Sequence, residues 1–204
     1  MLLQQDNALF NSNASFSGTR YVDITTTTDF WKWLRGPFLH AVYMTNWYAG
    51  DPWSVGDQQL LMGHNLIVGT VSVRQKRVKS ASCSIPVAFI EEARLADCIA
   101  DFSPSVEDKE AFGPFYTEPE WASAFTFTPE WPSFHGGLKA YSSGAFSLEL
   151  PASACETGGV AIPCISKADA MLQDLQSTGW LDYRTRAVLV ELTVFNPPLN
   201  RFTL

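Results

Sequence analysis

The fold of this chain is decided by Ala187-Val188-Leu189-Val190-Glu191-Leu192-Thr193-Val194-Phe195, which is followed by Asn196-Pro197-Pro198. The even-numbered valine and leucine side chains lie on one face of a period-two pattern, and the opposite face is mixed. A run this short, with a carboxylate in its middle, cannot span a bilayer as a helix, which needs about 20 apolar residues. The stretch therefore predicts the central strand of a sheet, and two prolines end it because they cannot donate to a ladder. We expect the core to include Trp180, Val188, Val190, Leu192 and Val194.

The composition predicts one globular domain. The chain has 204 residues, of which 46% are hydrophobic and 17% charged, and this balance excludes a disordered or coiled-coil protein. Its net charge of −7 disfavours nucleic acid as a partner, because proteins that bind phosphate backbones collect Lys and Arg on one surface. No run has the length of a transmembrane helix, and no signal peptide is visible at the N-terminus. Export, if it occurs, is expected to be encoded elsewhere.

Four cysteines point to an oxidising compartment. They lie in two close pairs, Cys83 with Cys98 and Cys155 with Cys164, and neither pair has the spacing of a zinc knuckle. Three connectivities are open, and proximity favours two local disulfides; four buried thiols are the alternative. Asn13 begins an Asn-Ala-Ser sequon, which predicts a glycosylation site.

The chain divides into an arm and a domain. Residues 1–28 are polar and without period, which predicts an extended arm, and the domain occupies residues 29–204. Its first element is predicted to be a short helix with an aromatic core stripe, capped by Thr28 or Asp29 and interrupted at Gly36-Pro37.

Several further elements predict an α+β fold, a mainly antiparallel sheet with a few packed helices and a long irregular aromatic loop region. Alternation predicts strands over 66–79 and 146–150, and Pro86 favours a helix over 88–97. A capping-box pattern at Ser166-Lys167-Ala168-Asp169 predicts a helix that ends before Gly179. The apolar stripe of that helix is Ala168, Met171, Leu172 and Leu175. Residues 103–137 form the irregular region, and a loop of this length is usually functional.

The charged clusters favour structural interpretations. The basic end of the strand over 66–79 could bind an anion, but a charged strand end paired with the domain's own carboxylates is favoured. Glu107, Asp108 and Glu110 lack the order of an EF-hand, so a solvated acidic face is favoured over a calcium site. The histidines, His40, His64 and His135, lie far apart without ligand spacing, and no catalytic motif is present. We therefore expect no metal, no cofactor and no enzyme activity.

Short motifs in order along the chain resemble the extracellular domain of polycystin-2-type TRP channels. The match begins with Asp29-Phe30-Trp31-Lys32 and continues through Val73–Val78, Cys83-Ser84-Ile85-Pro86 and Cys98. It continues with Glu107-Asp108, Phe112-Gly113-Pro114, Trp180-Leu181-Asp182, Thr185-Arg186-Ala187 and Val194-Phe195-Asn196. The resemblance extends from about Asp29 to Leu204, and Cys155 and Cys164 lie in what looks like an insertion relative to the family.

The resemblance implies a role in a larger membrane protein. In that family the domain lies between the first and second transmembrane helices, and four copies form a lid over the pore of a calcium-permeable cation channel. It implies a Cys83–Cys98 disulfide, identical or related channel subunits as partners, the protein's own transmembrane pore, extracellular ciliary proteins, and a ciliary plasma membrane as location. It also implies a subunit interface in the aromatic region, with the candidates Phe112, Pro114, Phe115, Tyr116, Trp121 and Trp131.

Two other function classes fit parts of the sequence. Seven tryptophans, with Glu120-Trp121 and Glu130-Trp131, would suit a secreted carbohydrate-binding module, although buried tryptophans explain the count equally well. A hydrolase using carboxylates of the irregular region is a weaker alternative, because no catalytic motif supports it.

Overall fold

The computed structural model describes residues 20–44, 46, 49–52, 60–61, 65–81, 98–114, 122–135, 139–151, 155–157, 160–161 and 164–203. Several sequence predictions fall outside these residues, namely those for Asn13, Cys83, Phe115, Tyr116, Trp121 and the helix over 88–97. The described residues divide into two compact units. The first lies within Met1–Val71, Glu149–Ser177 and Glu191–Leu204, and the second within Ser72–Leu148 and Thr178–Val190.

A six-stranded sheet organises the described part of the chain. Its long strands are β2 (Asn65–Arg77), β8 (Ala145–Leu150) and β11 (Thr185–Asn196), and its short ones are β1 (Leu60–Leu61), β5 (Phe127–Thr128) and β12 (Arg201–Thr203). The order is β12-β11-β2-β8-β5, and β1 pairs with β2. The C-terminal stretch does form a strand, but the prediction that it is central is wrong, because β2 occupies the middle of the order. Periodicity identifies a strand without revealing its neighbours.

Three small two-stranded sheets complete the strand inventory of the described residues. They pair β3 (Ser80–Ala81) with β4 (Cys98–Ile99), β6 (Phe134–His135) with β7 (Ala140–Tyr141), and β9 (Glu156–Thr157) with β10 (Val160–Ala161). These pairs are antiparallel, as are β1 with β2, β5 with β8 and β11 with β12. The predicted α+β class with a mainly antiparallel sheet is confirmed.

The first unit contains a helical segment near the start of the described chain. Helix α1 (Thr27–Trp33) passes through a π-helical turn (Leu34–Phe38) into α2 (Leu39–Val42), so Pro37 is accommodated within helical turns. The cap is Thr26 rather than Thr28 or Asp29. The Thr26 Oγ1 accepts a hydrogen bond from the Asp29 amide, and the Asp29 carboxylate accepts one from the Thr26 amide, both at 3.1 Å.

Helix α3 (Cys164–Ser177) packs against α2 and the π-helical turn. The predicted stripe of Ala168, Met171, Leu172 and Leu175 is buried, and Gly179 has a φ of +69°, which suits a residue just after a helix. The predicted start at Ser166 is wrong, because the helix already begins at Cys164, where a disulfide joins it to Cys155 with the two Cα atoms 5.1 Å apart. Cys98 is also disulfide-bonded.

Burial differs sharply between β11 and β2. Every residue of β11 is half-buried, including Val188, Val190, Leu192 and Val194, whereas Trp180 is fully buried. In β2, all residues from Val71 to Arg77 are buried, although the sequence predicted a polar face and a charged end. Among the described residues, no helix is long and apolar enough to cross a membrane.

Candidate functional site

Strand β2 carries four consecutive buried polar side chains, Arg74, Gln75, Lys76 and Arg77, each at most 2% exposed. Burying a charge is costly unless a partner and hydrogen bonds replace its hydration. The second unit supplies those partners from distant parts of its sequence. We call the four residues together with Glu107, Asp108, Trp180, Asp182 and Arg184 the buried charge cluster.

The ammonium group of Lys76 is surrounded by acceptors. It donates to Glu107 Oε1 at 2.7 Å, to Ser142 Oγ and the Ser143 carbonyl at 3.3 Å each, and to the Gly144 carbonyl. Burial lowers the pKa of Lys76, and the hydrogen bond that Lys76 donates to Glu107 opposes that shift only in part. The surrounding acceptors thus fix the lysine in place and leave it no capacity for an external anion.

Arg77 is held by a carboxylate and an aromatic ring. Its two terminal nitrogens donate to the two oxygens of Asp182 at 3.0 and 2.9 Å, a bidentate pair. The guanidinium carbon lies 3.6 Å from the centre of the Phe112 ring. Because the planar guanidinium satisfies both contacts at once, it fixes Phe112 relative to β2.

Arg74 is covered by an aromatic side chain. Its guanidinium carbon lies 4.7 Å from the centre of the Trp131 ring, and the Trp131 indole donates to Ser147 Oγ at 2.9 Å. This arrangement gives the half-buried tryptophan a fixed orientation within the second unit.

Gln75 connects β2 to the segment before β11. Its side-chain nitrogen donates to the Trp180 carbonyl at 2.9 Å, and its side-chain oxygen accepts from Thr185 Oγ1 at 2.9 Å. The indole of Trp180 donates in turn to the Ala124 carbonyl at 2.6 Å. The buried polar atoms of Trp180 and Gln75 therefore have partners, as a core position requires.

The acidic residues of the irregular region belong to this core. Glu107 and Asp108 are each 4% exposed, so the prediction of a solvated acidic face is wrong for both, whereas Glu110 is exposed. Asp108 accepts from Arg184 at 3.1 Å, and Glu107 Oε2 lies 3.4 Å from the Lys109 ammonium. Within the described ranges, no group of three or more His, Cys, Asp or Glu side chains is placed to hold a metal ion.

The contacts of Lys76 and Arg77 decide between the two interpretations of the basic cluster, an anion site and internal salt bridges. Lys76 and Arg77 bind the domain's own carboxylates, so the salt-bridge interpretation is correct and the anion-site hypothesis is wrong for these two residues. The cluster does lie at the end of β2, where Arg74, Lys76 and Arg77 are buried and Lys79, just beyond the strand, is exposed. Long charged side chains usually indicate exposure, and the partners that allow burial are remote in sequence.

The predicted interface aromatics lie in different environments. Phe112 and Trp131 are half-buried against arginines of β2, and Pro114 is exposed. Sequence reasoning missed Gln75, Arg184 and the Ser142–Gly144 turn as members of the site. The sequence could have indicated Arg184 as a member of the site, because it follows closely after Trp180-Leu181-Asp182, one of the motifs that carry the resemblance.

The sequence of this chain matches a known protein family and several known proteins. A family model described as "Polycystin domain" matches residues 20–204. Human polycystin-2-like protein 1 is 30% identical over 198 residues, which are 95% of this chain and 22% of the relative. Polycystin-2 of Danio rerio is 30% identical over 190 residues, covering 91% and 19%, and mouse polycystin-2-like protein 2 is 29% identical over 185 residues, covering 89% and 27%. The chain thus spans about a fifth to a quarter of the length of these relatives, and it belongs to the polycystin domain family.

Proposed function

We propose that this chain is the non-catalytic extracellular lid of a tetrameric, calcium-permeable cation channel of the polycystin type. The observation that carries the proposal is the polycystin domain match over residues 20–204, together with similarity to polycystin-2 proteins several times longer. In this proposal, residues 29–204 lie between the first and second transmembrane helices of the complete protein, and an arm precedes helix α1.

The contacts of the second unit support a mechanical rather than a chemical role. Lys76 and Arg77 already hold the carboxylates of Glu107 and Asp182, and the N–O distances of 2.7 to 3.0 Å are those of charge-assisted hydrogen bonds. A core fixed in this way resists local deformation, which suits a body that assembles with neighbouring subunits and transmits external signals to a pore. The Cys155–Cys164 disulfide is compatible with an extracellular or lumenal location.

Partners follow from the same proposal. Identical or related subunits would contact the aromatic region, the complete protein would supply the transmembrane pore, and ciliary proteins would bind from outside. The carbohydrate-binding alternative loses its main support among the described tryptophans. Trp31, Trp33 and Trp180 are buried, and the Trp131 ring is stacked on Arg74, so these four do not form an open platform for a sugar.

A topology experiment on the full-length protein tests the proposal. A short epitope inserted between Pro104 and Ser105, in an exposed turn, should be stained by antibody on intact cells, without permeabilisation. The same cells should show cation currents that the untransfected cells lack, and the purified complex should have the mass of a tetramer. Staining only after permeabilisation, in cells where surface biotinylation detects the protein, would contradict an extracellular lid.

A further inference from the structure

A cleft in the second unit lies beside the buried charge cluster and has no role in the proposed lid function. Its volume is about 240 Å³. Its polar lining consists of Lys79, Ser80, Asp108, Glu110 and Arg184, and its apolar lining of Ala111 and Phe112. Pockets for drug-sized ligands are typically about 300–1,000 Å³, so this cleft fits a smaller molecule.

Hydrogen bonds and a cation–π contact hold the walls of the cleft in position. Arg184 donates to Asp108 and to Ser80 Oγ at 3.1 Å each, and the Asp108 amide donates to the Arg77 carbonyl at 2.9 Å. The Phe112 ring packs on Arg77 on one side, and the backbone amide of Phe112 donates to the Phe125 carbonyl at 3.1 Å. These contacts fix Arg184, Asp108 and Phe112 before any ligand arrives, which reduces the entropy lost on binding.

Loop geometry reinforces this placement. Gly113 follows Phe112 with a φ of +77°, and a Cβ atom there would lie 2.4 Å from the Phe125 ring. Only glycine fits that conformation and that close approach. The wall that carries Phe112 is therefore built against Phe125.

Two charged groups of the cleft are not used by the fold. Lys79 and Glu110 are exposed, and within the described part of the chain neither the Lys79 ammonium nor the Glu110 carboxylate makes a hydrogen bond or an ion pair. Arg184 and Asp108 already form an ion pair with each other, so Lys79 and Glu110 are the two charged lining groups that remain for a ligand. A simple anion at Lys79 would lie near Glu110 and a simple cation at Glu110 would lie near Lys79, whereas a molecule with both charges gains from each sign.

We propose that this cleft binds a free α-amino acid with an apolar side chain. The ligand carboxylate faces Lys79, its ammonium faces Glu110, and its side chain packs on Phe112 and Ala111. The groups that make specific contacts are exposed, which predicts a weak affinity, with a Kd on the order of 1 mM. The site goes beyond the lid role, because binding requires neither a pore nor a tetramer.

The experiment uses the full-length protein in detergent and isotope-labelled L-leucine as the probe. Two competitors each carry one half of the charge pattern: 4-methylpentanoate lacks the ammonium group, and 3-methylbutylamine lacks the carboxylate. Unlabelled leucine should displace the probe at least about tenfold better than either, because each half-ligand loses a charge-assisted hydrogen bond. Absence of saturable leucine binding up to about 10 mM would overturn the site, since a Kd on the order of 1 mM predicts near-complete occupancy there.

Matched variants locate the binding. Lys79→Met and Glu110→Gln each remove one unpaired charge at an exposed position, and each should weaken leucine binding about tenfold without changing the thermal midpoint. Lys139→Met is the control, because Lys139 is an exposed lysine that lies outside the cleft lining and should leave binding unchanged. Leucine binding unaffected by both cleft variants, or 4-methylpentanoate binding as tightly as leucine, would overturn the proposal. Binding is measured without current, so failure here leaves the lid proposal intact.

Discussion

In the first unit, α1, α2 and α3 bury aromatic and aliphatic side chains, and the Arg35–Asp169 ion pair lies at their margin with side chains 28% and 40% exposed. In the second unit, the Lys76–Glu107 pair lies inside, with side chains 2% and 1% exposed. Both pairs have a shortest N–O distance of 2.7 Å. The same shortest distance therefore has different energetic consequences, because water can replace a partner at the margin and cannot do so in the interior.

The largest effect is expected when one partner of the interior pair is removed. Glu107→Leu leaves the Lys76 ammonium buried without its carboxylate, and the free energy of unfolding should fall by about 3–5 kcal/mol. Chemical denaturation of the variant and the parent measures this difference. A loss below about 1 kcal/mol would mean that water or Asp108 replaces Glu107, and the contrast between the units would disappear.

The double variant Lys76→Met/Glu107→Leu is the control for that prediction. It removes both charges and leaves an apolar pair of similar volume, so it should be more stable than Glu107→Leu alone. A double variant as unstable as the sum of the single losses would show that the two charges do not act as a pair.

An intermediate effect is expected at Trp180, the fully buried tryptophan of the cluster. Trp180→Phe removes the donor to the Ala124 carbonyl and part of the side-chain volume, and it should cost about 1–3 kcal/mol. Trp131→Phe is the matched change at a half-buried indole that donates to Ser147, and its cost should be smaller. Equal losses at the two positions would show that burial does not set the cost of the lost hydrogen bond.

The smallest effect is expected at the marginal pair of the first unit. Arg35→Met breaks a bidentate contact with Asp169 and a hydrogen bond to Gln176, yet it should cost only about 0.2–1 kcal/mol. About 1 M NaCl should reduce this contribution further, because partly exposed charges are screened. The Lys76–Glu107 coupling should change little in the same salt, and equal salt sensitivity would contradict the comparison.

Elements whose side-chain pattern is local were predictable from the sequence. The buried stripe of α3 follows from its helical spacing, and β8 follows from the alternation of Phe146, Leu148 and Leu150, which are all buried. Helix starts were less certain because several residues can cap: Thr26 forms the capping box, while Asp169, expected in one, pairs with Arg35 instead.

The central strand and the buried charge cluster were not predictable from local patterns. The partner of Lys76, Glu107, is separated from it by 31 positions in the sequence, and the partner of Arg77, Asp182, by 105 positions. A sequence pattern shows that these residues are charged, and charge by itself predicts exposure. Only the tertiary pairing of β2 with its neighbours turns a predicted polar strand end into the interior of the second unit.

The Lys76–Glu107 pair also limits how this sequence can evolve. Folded domains are typically stable by only about 5–15 kcal/mol, so a single substitution that costs about 3–5 kcal/mol uses much of that margin. An apolar pair at these positions can be reached only through one of two destabilised intermediates. Lineages that depend on this domain are therefore expected to retain both charges or to exchange them together, even where an apolar core would be equally stable.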